Sequence, residues 1–420
     1  THKIITGRAG SFNTLNQPNG ISRFLTRSES EHDIIDASHA GTSLSFASGI
    51  AYSNYVRNIK KSVIAVIGDG SLVEGLAFEG LNFAPTFPLD LMIVVNDNGM
   101  AIAPNIGGIK NLTSGDDYIN KSKLFFEGLG LSYLSVKDGH NLSELVDNFV
   151  IGKNVDGPII IHVRTEKGKG LSIAADHPYK MHFSMPFNPM DGTGSSPTIS
   201  GKTYATVAAE ELRAQLEKDE DITIITPATP YASSLDDLIK EYPGRVIDAG
   251  MAEQHAVVMA CGMALEGLKP VLCFQTTFLQ RAFDQLLHDL CFMDLPVTIL
   301  GVRSGFAGFD SPTHHGLYDI PYLRSLPNMQ ISYPVNSNDL RLIINDRLRK
   351  PVGPMIILHP YETIPTNEIN EHIEDDGFIS LINHGQDGTI FCLGNQLNQA
   401  IDLRDLIYKK NNKNFSVACL

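Results

Sequence analysis

Two short triplets concentrate the chemistry of this chain. Gly68-Asp69-Gly70 closes an apolar run, Ser62-Val63-Ile64-Ala65-Val66-Ile67, and Asn96-Asp97-Asn98 closes another, Leu91-Met92-Ile93-Val94-Val95. Runs of this length and composition predict buried parallel strands. A glycine-flanked acid at the end of one strand and an amide at the end of the next can hold a hard divalent cation. Mg2+ wants oxygen donors and takes few of them from protein, the rest from substrate phosphate. Asp69 and Asn98 are therefore placed to clamp Mg2+ against a diphosphate. Gly68-Asp69-Gly70 alone reads equally well as a strand-to-helix turn with a capping acid; the two triplets together, each after a strand, favour the cation.

Further candidates lie in the second half. Ala252-Glu253-Gln254-His255-Ala256 follows a strand ending at Asp248 and opens an apolar helix through Gly267. A buried carboxylate is favoured at a helix N-terminus by the backbone dipole; alone, Glu253 reads as readily as a simple terminal charge beside a His. The run Thr276-Thr277-Phe278-Leu279-Gln280-Arg281-Ala282-Phe283-Asp284-Gln285 puts Phe278 just after a strand, where it could stack on a flat ring. A core Phe is the commoner outcome. Arg281 is a candidate anion contact, although a helical Arg more often makes a surface salt bridge. The loop from Arg303 to Gly316 carries one Arg, Asp310, and the pair His314-His315 among glycines, too polar for a core. Such a loop at a strand end is more often a site. His314 could exchange protons with a hydroxyl or carbonyl, and Arg303 could hold an anion. His32, His140, His162, His177, His288, His359, His372 and His384 show no metal-binding spacing. His255 and His315 read as support or spectators.

The elements that must position these groups alternate strand and helix. Residues 1–183 predict strands at 62–67, 91–95, 131–136 and 158–163 and helices at 41–56, 74–83 and 142–150, forming a diphosphate- and Mg-binding domain. Residues 184–203, rich in Pro, Gly, Ser and Thr, read as a linker. Residues 204–365 predict strands at 222–226, 246–248, 270–274, 296–302, 329–333 and 355–358. Residues 366–420 begin a third α/β domain, with a strand near 388–394 and a helix at 396–408. The fold class is α/β: two doubly wound, mostly parallel sheets, with ligands at the strands' C-terminal edges and one site divided between domains.

Composition removes several classes. The 420 residues suggest two or three domains. A formal net charge of −14 and the absence of a Lys/Arg block argue against nucleic acid. No run of eighteen apolar residues marks a membrane span. The five cysteines, Cys261, Cys273, Cys291, Cys392 and Cys419, are scattered and read as reduced core thiols. The chain opens at Thr1-His2-Lys3 without Met or a signal peptide, and both ends look cut, so a longer parent protein is expected.

Taken together, these motifs resemble the thiamine diphosphate enzymes, and within the transketolase superfamily the 1-deoxy-D-xylulose-5-phosphate synthase family. The resemblance runs in order through Thr1–Arg8, Ser38-His39-Ala40-Gly41-Thr42-Ser43, the two triplets, Thr165-Glu166-Lys167-Gly168-Lys169-Gly170, His182, Ala252–His255, Thr277–Gln285, Pro312-Thr313-His314-His315-Gly316 and Leu323–Met329. It implies that Asp69, Asn98 and the Met100 carbonyl ligate Mg2+, and that His2, His39, Ser43, Gly70, Ser71 and Lys167 surround the diphosphate. Glu253 and Phe278 would hold the aminopyrimidine ring, with Glu253 doing acid/base work through the cofactor. His182, His314, His39 and Asp310 would face substrates. The implied reaction is decarboxylation of pyruvate and carboligation of the two-carbon unit to an aldehyde, D-glyceraldehyde 3-phosphate in the family. The product, a 1-deoxy-ketose phosphate, serves isoprenoid, thiamine and pyridoxal routes. The resemblance also implies a cleft between two domains of one subunit, a homodimer, and a cytoplasmic or organellar-stroma location.

The sequence departs from the family where the acceptor phosphate is gripped. A Tyr and an Arg are replaced by Gln275 and Tyr361, with Glu362 alongside, while Arg281 and Arg303 remain. Losing an Arg from a phosphate clamp removes a bidentate contact. A non-phosphorylated aldehyde is the alternative this raises. The loop after the metal motif is also short, Asn105–Ile109 running directly into Asp116-Asp117-Tyr118. Ketol transfer of the transketolase type, a catalytically silent binding subunit, and a generic nucleotide-binding α/β protein are the rivals; the last lacks a P-loop and a Gly-x-Gly-x-x-Gly fingerprint.

Overall fold

The computed structural model describes residues 1–177, 179–182, 184, 186–194, 201–307, 312–364, 373–375 and 380–420. Its first sheet contains β1 (Val63–Gly68), β2 (Leu91–Asp97), β3 (Ser132–Val136) and β4 (Ile159–Arg164), all parallel, in the order β1-β2-β4-β3. Helices Ser43–Val56 and Gly75–Phe83 pack on one face through Leu44, Ala47, Ala77 and Leu81. Helix Leu142–Lys153 covers the other through Leu145 and Phe149. That helix starts where the Asn141 side chain accepts from the Ser143 and Glu144 amides at 3.1 and 3.3 Å, satisfying orphan donors of the first turn.

The first run is less buried than its composition predicts. β1 is an edge strand, and Ile64 and Val66 are 59% and 63% exposed while Ala65 and Ile67 point into the core. Alternate side chains of a strand face opposite sides, and among the described residues only one side of β1 is covered. β2, second in the order, is buried on both faces from Leu91 to Val95.

The second sheet holds six parallel strands: β5 (Ile222–Thr226), β6 (Val246–Asp248), β7 (Lys269–Gln275), β8 (Thr298–Ser304), β9 (Gln330–Ser332) and β10 (Met355–Pro360), in the order β6-β5-β7-β8-β10-β9. Helix Glu253–Leu265 and the segment Phe283–Cys291 build one core layer; helices Tyr204–Lys218 and Ser337–Arg349 build the other. Thr203 caps the first of these last two by accepting from the Thr206 amide at 3.1 Å. Within the predicted linker, Thr203 bridges to Thr363.

A small third sheet follows: β11 (Ile373–Asp375), β12 (Ser380–Ile382), β13 (Gly388–Cys392) and β14 (Phe415–Cys419), in the order β11-β12-β14-β13, with only β13 and β14 parallel. Helix Leu397–Asn411 packs on it through Leu397 and Ala400. The segment read as a shortened loop after the metal motif contains a helix, Gly107–Thr113.

Candidate active site

The C-terminal edges of the first two sheets face one another across a cavity of about 510 Å³, lined by residues of both. From the first come Gly68, Gly70, Ser71, Glu74, Asn98, Met100, Lys167 and His182, with His39 and Phe24 from the N-terminal segment; from the second come Glu253, Phe278, Arg281 and His314.

Asp69 lies beneath this wall, fully buried, in the turn Asp69–Val73 that leaves β1. One carboxylate oxygen accepts from the Gly99 amide at 2.8 Å and the Asn105 side chain at 2.6 Å; the other, Oδ1, has no protein partner. Asp69 and the Asn98-Gly99 turn are thus brought together. Gly99 adopts φ +75°, the left-handed region that glycine tolerates. Burial first, then the neighbouring Asp97, push Asp69 up to about 6. Asp97 stays below the usual carboxylate range despite full burial, because His162 at 2.9 Å and Arg164 at 2.6 Å hold it.

Gly70 permits a close approach. A Cβ there would lie 2.6 Å from both Cα and Cβ of Ala101. The Ala101 carbonyl accepts from Lys167 Nζ at 2.7 Å, and the same ammonium lies 3.0 Å from His182 Nδ1. Burial, reinforced by Lys167, drives His182 down to about 4. His182 is therefore a neutral imidazole at pH 7, its Nδ1 facing a cation. His39 is also lowered, by burial and then by Arg281.

On the facing wall, Glu253 opens its helix and is 6% exposed. Burial pushes its carboxyl up to about 7, and Oε2 has no hydrogen-bond partner. The Arg281 guanidinium is 3.7 Å from that oxygen but is engaged elsewhere. Its Nη1 pairs with Glu74, and its Nη2 donates to the Ala40 carbonyl at 2.8 Å. Phe278 meets His314 edge-on with centroids 5.5 Å apart, and Phe24 stacks on the same imidazole at 5.3 Å and 11°.

The expected residues do not all converge. His2 lies 2.9 Å from Asp33, which Arg8 also grips, and neither His2 nor Ser43 lines the cavity. Gln275 is 1% exposed at the end of β7, with its amide nitrogen unpartnered. Arg303 lies over the Tyr361 ring at 4.3 Å and the Tyr231 ring at 5.7 Å. None of Gln275, Arg303 and Tyr361 lines the cavity, so of the four described acceptor residues only Arg281 does. Asp310 lies outside the described residues. Phe24 and Glu74 are among the cavity residues that were not foreseen. Phe24 sits in a segment without periodicity, and Glu74 occupies the position before an ordinary helix start. Among the described residues, no three His, Cys, Asp or Glu side chains cluster to hold a metal unaided.

The family model described as 1-deoxy-D-xylulose-5-phosphate synthase matches residues 1–120 and 116–165, and that described as transketolase, pyrimidine binding domain, matches residues 200–365. A 1-deoxy-D-xylulose-5-phosphate synthase of Halothermothrix orenii is 36% identical over 462 aligned residues, spanning 98% of this chain and 71% of the relative. One from Listeria monocytogenes is 40% identical, spanning 88% of this chain and 62% of the relative. Among solved structures, a transketolase of Campylobacter jejuni aligns with a TM-score of 0.48 at 14% identity, covering 90% of this chain and 70% of the other.

Proposed function

The chain belongs to the 1-deoxy-D-xylulose-5-phosphate synthase family, thiamine diphosphate-dependent transferases of isoprenoid biosynthesis, and we propose that it decarboxylates pyruvate and joins the two-carbon unit to an aldehyde such as D-glyceraldehyde 3-phosphate. The observation that carries this reading is that Asn98 and Glu253, from facing sheets, border one cavity, with Asp69 buried between its lining residues Gly68 and Gly70.

The residues fit the cofactor on three counts. Asp69 has a buried oxygen without a partner, Gly70 lets the turn that carries Met100 and Ala101 approach more closely than a Cβ would allow, and Glu253 has an unpartnered oxygen across the cleft. Asp69, Asn98 and the Met100 carbonyl would hold Mg2+, a donor set of oxygens that leaves the remaining positions to phosphate and water. A cation at Asp69 Oδ1 would reverse the upward pressure on that carboxyl. Ser71, His39 and Lys167 would border the diphosphate. When bound, thiamine diphosphate supplies the carbon nucleophile and the electron sink for decarboxylation.

The chain's own groups do the positioning and move protons. Glu253, which burial pushes up to about 7, can give or take a proton in the neutral range and has its unpartnered Oε2 at the pyrimidine end of the cleft. Phe278 presents a flat apolar wall beside it. His182 keeps Nδ1 on Lys167 and leaves Nε2 for a substrate oxygen. His314, in ring contact with Phe24 and Phe278, is the second proton-exchanging group.

In this reading residues 1–183 supply the diphosphate half, 204–365 the pyrimidine half, and 366–420 begin a third domain. A homodimer would cover the open Ile64 and Val66 side of β1. No helix of the described residues is long and apolar enough to cross a membrane, and the reading takes the enzyme to work in the cytoplasm or an organellar stroma. A plain aldehyde acceptor is the second reading, favoured by the absence of Gln275, Arg303 and Tyr361 from the cavity lining.

The test supplies pyruvate, Mg2+ and thiamine diphosphate with a panel of phosphorylated and plain aldehydes, and identifies products by mass. A 1-deoxy-ketose with release of CO2 is expected. Ketose-dependent transfer without CO2, or no turnover at all, would overturn the proposal.

A further inference from the structure

Glu74 is unlike its surroundings. It is an acid, 2% exposed, in the turn between Asp69–Val73 and helix Gly75–Phe83, and it borders the cleft. One oxygen pairs with Arg281 and the other has no partner. The loop above it closes tightly. Gly41 has φ +81°, and a Cβ there would come within 2.9 Å of the Glu74 Cβ; the adjacent Ala40 carbonyl takes the other arm of Arg281 at 2.8 Å. Arg281 therefore reaches from the second sheet into a socket built by the first, with Glu253 at 3.7 Å on its own side.

Two acids thus share one guanidinium in a buried site. Were all three groups ionised, the set would carry one uncompensated negative charge, which burial strongly disfavours. One acid must tend to keep a proton, and contact geometry decides which. Glu74 touches the guanidinium directly, whereas Glu253 stands further off, with an oxygen that no group satisfies.

We propose that Glu74 is a positioning residue: it takes up the charge of Arg281 across the seam between the sheets and so leaves Glu253 able to carry a proton at neutral pH. The proposal rests on the reading that Glu253 is the acid of the site. It assigns Glu74 no contact with substrate or cofactor. The charged and titratable groups facing Glu253 are Glu74 from the turn after β1, Arg281 from the segment after β7 and His39 from the N-terminal loop. His255 follows on its own helix, exposed, and Lys167, His182 and His314 line the same cleft.

The experiment is infrared titration of the protein without cofactor or substrate. The protonated-carboxyl band of Glu253 is identified by its loss in Glu253→Gln. In Glu74→Gln, Arg281 keeps its charge and only Glu253 remains to meet it. Arg281, 3.7 Å away at an effective dielectric of about 20 to 80, is worth about one to three pH units at Glu253, and the midpoint falls by up to that amount once Glu74 no longer offsets it. Glu74→Gln combined with Arg281→Met should return it toward the wild-type value. Arg281→Met alone leaves Glu74 uncompensated and should raise the midpoint, and this variant decides the matter if Glu74→Gln does not fold. A folded Glu74→Gln with an unmoved midpoint, or an Arg281→Met whose midpoint does not rise, overturns the proposal. Because no turnover is measured, a protein without synthase activity would still return a clear answer on Glu74.

Discussion

Gly70→Ala is the sharpest single perturbation of the diphosphate half. The new Cβ would stand 2.6 Å from Ala101 Cα and Cβ and 3.1 Å from its nitrogen. Carbon atoms in contact settle near 3.5–4.0 Å, so one backbone must yield by roughly 1 Å. Ala101 cannot yield freely: its amide donates to the Ala103 carbonyl at 3.0 Å and its carbonyl holds Lys167 at 2.7 Å. Overpacking of this kind costs about 1–3 kcal/mol, which for a domain of this size lowers its melting transition by about 2–12 °C. The displaced turn also carries Met100 and the Lys167 contact, so affinity for thiamine diphosphate with Mg2+ should fall at least about tenfold, equivalent to about 1.4 kcal/mol. Scanning calorimetry and binding calorimetry read the two effects separately. A variant that melts within about 1 °C of wild type and binds the cofactor equally well would refute the close-approach argument.

Three further outcomes are expected. Glu253→Ala should lower turnover at least about 100-fold while changing diphosphate affinity little, because Glu253 borders the opposite end of the cleft from Asp69; CO2 release and calorimetry check this. Phe24→Ala removes the ring stacked on His314 and, at about 0.5–1.5 kcal/mol for an aromatic pair, should lower kcat/KM about threefold to tenfold in steady-state assays. His359 is 1% exposed, neither ring nitrogen has a partner, and burial drives it down to about 4. Its folded-state value is depressed, so its contribution to stability is full above about pH 6.5 and is lost as pH falls toward 4. His359→Phe, which keeps a ring beside Tyr204, should gain on wild type by up to about 3 kcal/mol between those limits, read as melting temperatures at pH 7 and pH 5; an equal gap at both values would count against it.

What could be read from the sequence was whatever depends on neighbours along the chain. Asp69 and Asn98 follow apolar runs that had to be strands, and a strand end in an α/β sheet is where ligands collect. Glu253 precedes an apolar helix, so its place at a helix N-terminus was equally local. What the sequence left open depends on distant partners. Whether β1 is central or at an edge depends on which strands pair, and the run Val63–Ile67 looks alike in both cases. An Arg at position 281 can meet substrate or protein, and only the approach of Glu74 and Ala40 from the other sheet decides between them. Gln275 and Tyr361 were placed by family position, which carries sequence order and not side-chain direction; one is packed at a strand end and the other lies under Arg303.

The unsatisfied atoms at the two ends of the cleft follow one logic. A buried polar oxygen without a partner costs about 1–3 kcal/mol, a cost that a ligand supplying the partner removes. Asp69 Oδ1 is unpartnered beneath the metal-motif wall, and Glu253 Oε2 is unpartnered on the facing one. Between them lie Lys167 for anionic groups and the rings of Phe278 and His314 for a flat apolar body. A ligand that answers all of these must carry a cation-bridged anion at one end and a hydrogen-bonding heterocycle at the other. It must also touch both sheets at once. Binding should therefore strengthen the docking of the two sheets, which among the described side chains rests partly on Arg281 with Glu74 and on Tyr179 with Asp236.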